Sequence, residues 1–388
     1  MGAAPGSPQA LSQAASLSAP AGSRIALLAP MTGAYAGAGP DIVNAVKLGL
    51  GPTAAGSLDV LDTGSTPQGA AAAAQKAVAG GAGIIIGPLT YQEAGAVSSV
   101  TGPAHVDVLS LTSDSSVAQP GLWPLGITPE EQVRALAGAA NGQGHGEIAG
   151  LLSDSPLGNA MARALQKVDP GARISTYSAG SFGSMNTTLR GLSDYAGRRG
   201  PIDARIKTLR GAHTVAARQE AVKLERTPIP PPPFNALVVD ATGSHLGELA
   251  TLLPYYDVNP GPVLLLGPGV WANDPGAVAA AGFRGALYAA PDPQAATSFD
   301  ASYTAAYGGP PSALAAIAFD AAALARVASA QGRIDQSVIT NPSGFAGADG
   351  LLALAPDGGV KRGLAVFQVQ SGGAQIVQPA PTSFAPGS

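Results

Sequence analysis

Short apolar runs alternate with helical segments along most of this chain, and this alternation most constrains its fold. The runs are almost continuously apolar, as in RIALLAP and AGIIIGP, whereas a strand with one face in water alternates apolar and polar residues. Strands buried on both faces belong to parallel sheets covered by helices, so we predict an α/β fold. The predicted strands are 24–30, 58–64, 82–88, 106–112, 147–153, 172–178, 235–241, 262–268 and 285–291.

The length of the chain predicts two domains of doubly wound parallel sheet. A single hydrophobic core stops growing at about 250–300 residues, and this chain has 388. The pattern changes near the end, where apolar runs flank Asp357-Gly358-Gly359. Such a turn between two apolar runs predicts a C-terminal β hairpin.

The first 22 residues are rich in Ala, Pro, Ser and Gln, which predicts a disordered linker. They lack the basic start and continuous apolar core of a signal peptide. We interpret this start as the remainder after an export signal has been removed. A cytosolic protein with a flexible N-terminus is the alternative.

Several kinds of chemistry find no support in the sequence. The chain has no cysteine, and its net charge of -4 gives no general attraction to nucleic acid. Gly37 and Gly39 fit a dinucleotide-binding fingerprint, but Ile42 occupies the third glycine position. The four histidines lie singly, without metal-ligand spacing. We therefore predict a protein that is not an enzyme and that holds no cofactor or metal; carboxylate chemistry at Asp240 is the remaining enzymatic alternative.

The segment 190–226 differs from the rest of this acidic protein, because it holds nine of the 21 basic residues and only four of the 25 acidic ones. Ile202, Leu209 and Leu224 form a partial helical stripe, and the prolines at 228–233 must end any helix. This basic helical insert is either a solvated surface element or a docking arm for an acidic or anionic partner. The candidate partner-binding residues are Arg198, Arg199, Arg205 and Arg210.

The stretch IALLAPMTGAYAGAGPDIVNAVKLGL resembles the first strand, loop and helix of type I periplasmic binding proteins of the leucine/isoleucine/valine-binding kind. LDVLDTGSTPQGA, AGIIIGPL and VDVLSLTSDSS follow in the order typical of that family. The resemblance implies two α/β lobes joined by three crossings, with a ligand held in the cleft between them. The implied parts are a linker at 1–22, lobe 1 at 23–133 plus 263–340, lobe 2 at 134–262 plus 341–379 with the insert, and a tail at 380–388.

The same resemblance implies ligand-binding positions. In amino-acid-binding relatives, hydroxyls and backbone amides at strand ends hold the ligand carboxylate, which points here to Thr90, Thr112 and Ser113; alternatively these hydroxyls only cap helices. The family's aromatic ligand-contacting position falls near Leu157. The family's acidic residue, which pairs with the ligand ammonium, falls in LLGPGVW, and this segment has no carboxylate. Asp240 is therefore the candidate that could replace it. The candidate ligand-binding residues are Thr32, Tyr35, Thr90, Thr112, Ser113, Leu157, Asp240 and Trp271.

A narrower resemblance joins this chain to bacterial penicillin-binding protein activators, through LRGLSDYAGRRGPIDARIKTL and PPFNALVVDATGSHLGELATLLPYYDVNP. It implies an exported, lipid-anchored periplasmic protein with a regulatory or scaffolding role in the cell envelope and a peptidoglycan synthase as partner. The alternative is a substrate-binding protein of an ABC uptake transporter, which holds a small polar ligand such as an amino acid and meets a permease.

Overall fold

The computed structural model describes residues 9–10, 24–56, 58–329 and 334–384. The predicted linker and the end of the predicted tail therefore lie outside the described residues, apart from 9–10 and 380–384. The strands are β1 (Gln9–Ala10), β2 (Arg24–Ala29), β3 (Asp59–Asp62), β4 (Ala82–Ile86), β5 (Asp107–Ser110), β6 (Leu122–Pro124), β7 (Ile148–Ser153), β8 (Arg173–Tyr177), β9 (Ala236–Val239), β10 (Leu264–Gly267), β11 (Leu287–Ala290), β12 (Phe345–Gly347), β13 (Gly350–Leu354), β14 (Val360–Arg362), β15 (Ala365–Gln370) and β16 (Gly373–Gln378).

Helices follow most of the strands, as the alternation predicts. They are α1 (Gly39–Ala55), α2 (Pro67–Ala79), α3 (Tyr91–Ala104), α4 (Pro129–Gly142), α5 (Pro156–Val168), α6 (Phe182–Leu192), α7 (Tyr195–Gly211), α8 (Val215–Glu225), α9 (Ser244–Tyr255), α10 (Pro275–Ala280), α11 (Pro293–Tyr307), α12 (Ala313–Ser329) and α13 (Gln336–Ile339). No helix among these described residues is long and apolar enough to cross a membrane.

The chain divides into two compact units. Of the described residues, unit 1 comprises those within 1–131, 291–365 and 379–388, and unit 2 comprises 132–290 and 366–378. The first boundary falls beside the predicted one, but residues 263–290 group with unit 2 rather than lobe 1. The reason is that β10 and β11 pair in sequence with β9, within the sheet of unit 2. Residues 341–365 in turn group with unit 1, and the tail returns to unit 1, so the chain changes unit four times rather than three.

The main sheet of unit 1 has the order β3-β2-β4-β5-β6, and every neighbouring pair is parallel. Its two faces pack into separate cores, which explains the continuous apolar runs. Ile84 and Ile86 pack against α1 and α12, whereas Ile85 between them packs against α2 and α3. The α/β fold with parallel sheets is thereby confirmed.

Unit 2 has a seven-stranded sheet with the order β16-β15-β11-β10-β9-β7-β8. The strands from β7 to β11 pair in parallel, and β15 and β16 form an antiparallel pair at one edge.

All nine predicted strands are present. The sequence reading missed β6, because three residues that end in proline are too short to give a pattern.

The predicted C-terminal hairpin is confirmed as β13 and β14, which pair antiparallel around residues 355–359. They belong to a small sheet, β1-β12-β13-β14, in unit 1. Gly358 in the turn has φ +91, and a Cβ there would lie 2.3 Å from backbone atoms of Gln119. Only glycine fits this turn without a shift of the backbone.

Candidate ligand-binding site

The loops that follow β2, β3, β4 and β5 lie at one edge of the unit 1 sheet, because these strands are parallel and adjacent. We call this set of loops, residues 30–38, 63–66, 87–90 and 111–114, the first carboxyl edge. In open α/β sheets, ligands bind beyond the carboxyl ends of the strands. The first carboxyl edge carries five of the predicted ligand-binding residues: Thr32, Tyr35, Thr90, Thr112 and Ser113.

Thr32 and Tyr35 belong to a hydrogen-bonded cluster centred on Asp62. The Asp62 carboxylate accepts hydrogen bonds from the Thr32 hydroxyl (2.6 Å) and from the backbone amides of Met31 (2.9 Å) and Gly64 (2.8 Å). These bonds, above all the one from Thr32, lower the pKa of Asp62. The Tyr35 backbone amide donates to the Ser65 hydroxyl at 3.0 Å. The cluster holds the loop after β2 against the loop after β3. The side chain of Tyr35 on the first of these loops is 49% exposed.

Thr90 is engaged by its own helix. It is the N-cap of α3, and the Glu93 side chain accepts from both the Thr90 amide and the Thr90 hydroxyl. Because Glu93 already satisfies these donors, Thr90 matches the capping alternative. The Thr112 hydroxyl is buried and accepts from the Asp114 amide at 3.2 Å. Ser113 beside it is exposed.

Exposed apolar side chains collect at the carboxyl ends of the strands in each unit. Met31, Tyr35 and Tyr91 stand on or directly beside the first carboxyl edge, with Tyr91 48% exposed. In unit 2, Phe182 follows β8 and Val270 follows β10, and both are exposed. The sequence reading missed all of these except Tyr35, because a single large apolar residue in a loop does not show from the sequence whether it is buried.

Asp240 lies at the carboxyl end of β9, where it was expected, but it is buried and held by neighbours. It accepts from the Ser153 amide (3.0 Å), the Ser153 hydroxyl, the Ser155 hydroxyl (3.3 Å) and the Tyr177 hydroxyl (3.3 Å). Burial, together with the Asp240 charge, raises the pKa of Tyr177. A Cβ on Gly158 would lie 2.6 Å from Asp240, so the start of α5 packs directly on this carboxylate. Asp240 thus connects β7, β8 and α5 to β9.

Trp271 differs from the ligand-facing position expected of it. It is 2% exposed, donates to the Ala241 carbonyl oxygen at 2.9 Å and stacks on Phe283. A Cβ on Gly267 would lie 2.2 Å from its ring, so the indole fills the space that this glycine leaves. Trp271 is therefore a core residue of unit 2. Leu157 lies half-buried in the first turn of α5.

The basic insert is helical, as predicted, but its candidate arginines have partners inside the insert or beside it. Arg198 is buried and donates to three backbone carbonyl oxygens, those of Ser193, Pro230 and Tyr256. This differs from the exposed position expected of a partner-binding residue. Arg199, Arg205 and Arg210 form ion pairs with acidic residues of the insert.

Two cavities in the described part of the chain are lined by residues other than the predicted site residues. One of about 570 Å³ in unit 1 is lined by α11, α12 and the β12–β13 segment. Another, of about 600 Å³ in unit 2, is lined by the prolines at 228–233. Within the part of the chain that the structure describes, no three His, Cys, Asp or Glu side chains are grouped to hold a metal ion.

Comparison with known proteins gives one family and many structures. The sequence model of the periplasmic binding protein family matches residues 23–174. No curated protein sequence matches this chain.

Three solved structures illustrate the likeness. One is a protein from Rhodospirillum rubrum assigned to a branched-chain amino acid ABC transporter (TM-score 0.66, 16% identity, 92% of this chain and 100% of that chain). The second is an ABC transporter substrate-binding protein from Desulfitobacterium hafniense in complex with Leu (0.58, 16%, 92% and 99%). The third is an ABC transporter solute binding protein from Rhodopseudomonas palustris in complex with 3,4-dihydroxybenzoic acid (0.56, 19%, 93% and 97%). Together with the sheet orders, they show that this chain has the type I periplasmic binding protein fold.

Proposed function

We propose that this chain is the exported substrate-binding protein of an ABC uptake transporter. Solved proteins of the same fold serve such transporters, and the similarity extends over more than nine-tenths of this chain. This function places the protein outside the cytoplasmic membrane, with a permease as its partner. It requires no catalytic residue, cofactor or metal.

We propose a small carboxylate with an apolar or aromatic body as the ligand. The observation that carries this proposal is the pair of exposed tyrosines, Tyr35 and Tyr91, at the ends of the adjacent strands β2 and β4. Exposed aromatic rings that are fixed by neighbouring loops offer flat apolar surface to a ligand. The exposed Ser113 hydroxyl on the same edge supplies a hydrogen-bond donor for a carboxylate.

The arrangement at Asp240 argues against a free α-amino acid. A ligand ammonium needs an accessible carboxylate, and Asp240 is buried with its oxygens occupied by hydroxyl and amide donors. The loop LLGPGVW offers no carboxylate either. Relatives bind both leucine and 3,4-dihydroxybenzoic acid, and an aromatic acid of the second kind needs no ammonium partner.

The proposal is tested by thermal unfolding with benzoate, 3,4-dihydroxybenzoate, leucine and isoleucine, each compared with ligand-free protein. A ligand that binds only the folded state adds about 2.7 kcal/mol to the free energy of unfolding at 100 times its Kd. We expect the aromatic acids to raise the melting temperature, and benzyl alcohol, which lacks the carboxylate, to raise it less. If none of the four acids raises it, the proposed function is wrong for this ligand class.

A matched pair of variants locates the binding surface. We expect Tyr91→Ala to weaken binding of the best acid about tenfold, which corresponds to roughly 1.4 kcal/mol. Tyr255→Ala removes another exposed tyrosine, at the end of α9, and we expect it to leave the Kd unchanged. Equal effects of the two variants would place the ligand elsewhere.

The activator role implied by the narrower resemblance stays a prediction. It depends most on the basic insert as a docking arm. The four arginines first selected for that role are buried or ion-paired, so they give it little support.

A further inference from the structure

The helices α7 and α8 pack on each other, and their contact buries apolar residues of the insert. Ile206 and Leu209 of α7 and Ala217 and Ala221 of α8 form a small buried cluster. Ala217 and Ala221 therefore mark the inner face of α8, and residues half a turn away from them face solvent.

The two acidic residues of α8 form ion pairs with arginines of α7. Glu220 lies 3.7 Å from Arg205, and Glu225 is ion-paired with Arg210. On α7 itself, Arg199 pairs with Asp203 at 2.9 Å. The insert's acids therefore pair with three of the four arginines of α7, and the fourth, Arg198, is buried. Of the other basic residues of the insert, Arg190 lies on α6 and Lys207 on α7, and the remaining three lie on α8 and the residue after it.

The positive charge of these three lies on one surface, which we call the α8 outer face. Val215, Val222, Lys223 and Arg226 lie on the side of the helix away from the buried alanines, Arg218 lies at the edge of this side, and all five are exposed. Val215 is 69% exposed. Glu220 lies at the other edge of this side and is paired with Arg205, whereas within the described residues none of the three cations of this face has an ion-pair partner.

We propose that the α8 outer face binds the surface of an anionic phospholipid membrane. Three outward cations with two valines between them match negatively charged headgroups above apolar chains. Protein–protein interfaces are anchored by Trp, Tyr and Arg in well-packed pockets; α8 has no aromatic residue, and the arginines of this face are exposed. Because the whole chain has a net charge of -4, attraction to anionic lipid has to come from this local excess of positive charge.

The experiment is co-sedimentation of the full chain with vesicles of phosphatidylcholine alone or with added phosphatidylglycerol. We expect binding only to the anionic vesicles, and its loss at high salt because surface charges are screened. Each cation contributes about a fivefold gain in partitioning, so Arg218→Gln/Lys223→Gln/Arg226→Gln should weaken binding on the order of 100-fold.

A matched control separates this face from net charge. Lys47→Gln/Lys76→Gln/Arg163→Gln removes three exposed cations elsewhere, and we expect it to bind anionic vesicles like the unaltered protein. Far-ultraviolet circular dichroism checks that both variants are folded. No binding to anionic vesicles at low salt overturns the proposal, as does an equal loss in both variants. These readouts do not involve the ligand, so the proposed transport function is tested independently.

Discussion

At the scale of single residues, Arg198 illustrates how a charge can serve the interior of a protein. Its guanidinium reaches the carbonyl oxygens of Ser193 (2.7 Å), Pro230 (2.9 Å) and Tyr256 (2.7 Å). These three carbonyls belong to the turn before α7, to the polyproline connector and to the end of α9. Burial lowers the pKa of Arg198, but the planar fork of donors suits carbonyls that point from three directions.

We predict that Arg198→Lys lowers the free energy of unfolding of the protein by roughly 2–3 kcal/mol, since an ammonium cannot replace all three bonds and buried carbonyls lose a charged donor. Urea denaturation followed by circular dichroism measures the change. Arg199→Lys is the matched control, because its ion pair with the exposed Asp203 is worth less than about 1 kcal/mol. Equal stability of the two variants would contradict this role of Arg198.

For single residues, the sequence predicted some features of the candidate site and not others. The family resemblance placed Thr32, Thr90 and Ser113 at strand ends, and these ends lie at one edge because the carboxyl ends of adjacent parallel strands coincide. It did not reveal Asp62 as the partner of Thr32, since that contact depends on how two loops 30 residues apart pack together. Nor did the sequence distinguish Trp271 in the core from Tyr35 at the surface, because both follow strands and both are aromatic.

At the scale of elements, the small C-terminal sheet is joined to the main core of unit 1 through a buried carboxylate. Asp320 on α12 is fully buried, accepts from the Ala348 amide at 2.6 Å and lies 3.6 Å from Arg362 of β14. Burial raises the pKa of Asp320 to about 7, against the opposing charge of Arg362. The Asp-Gly-Gly turn predicted the hairpin from the sequence. The contact of Asp320 with Arg362 could not be predicted, because only the folded structure brings these two residues together.

The contact at Asp320 leads to a prediction for the end of β12. A Cβ on Gly347 would lie 2.5 Å from both Asp320 oxygens, so Gly347→Ala must displace a buried, charged contact. We expect it to lower the free energy of unfolding by about 2 kcal/mol. Gly95→Ala in α3 has open space around it, and there we expect a gain of about 0.5–1 kcal/mol. Chemical denaturation of both variants gives the comparison, and a neutral Gly347→Ala would show that Asp320 can move.

At the scale of the whole molecule, the two units are interleaved along the chain. The sheet of unit 2 takes five strands from residues 148–290 and its last two, β15 and β16, from residues 365–378. The resemblance to binding proteins predicted interleaved lobes, yet it misplaced 263–290 because strand pairing, rather than sequence order, decides which unit a strand joins. The sheet of unit 2 is therefore complete only when residues near the end of the chain are present.

This dependence predicts different outcomes for two truncations. A chain that ends at Ala365 loses β15 and β16 and leaves β11 as an uncovered sheet edge, without Phe367 stacked on Tyr288 and without the buried Val366 and Val369. A fully buried Val or Phe contributes about 1.5–3 kcal/mol, so this loss should strongly destabilise unit 2. A chain that ends at Gln378 also lacks residues 379–388 but keeps both strands. We expect amide hydrogens of residues 287–290 to exchange fast in the shorter chain and slowly in the longer one. Equal protection in both chains would mean that the first five strands of the sheet fold without the last two.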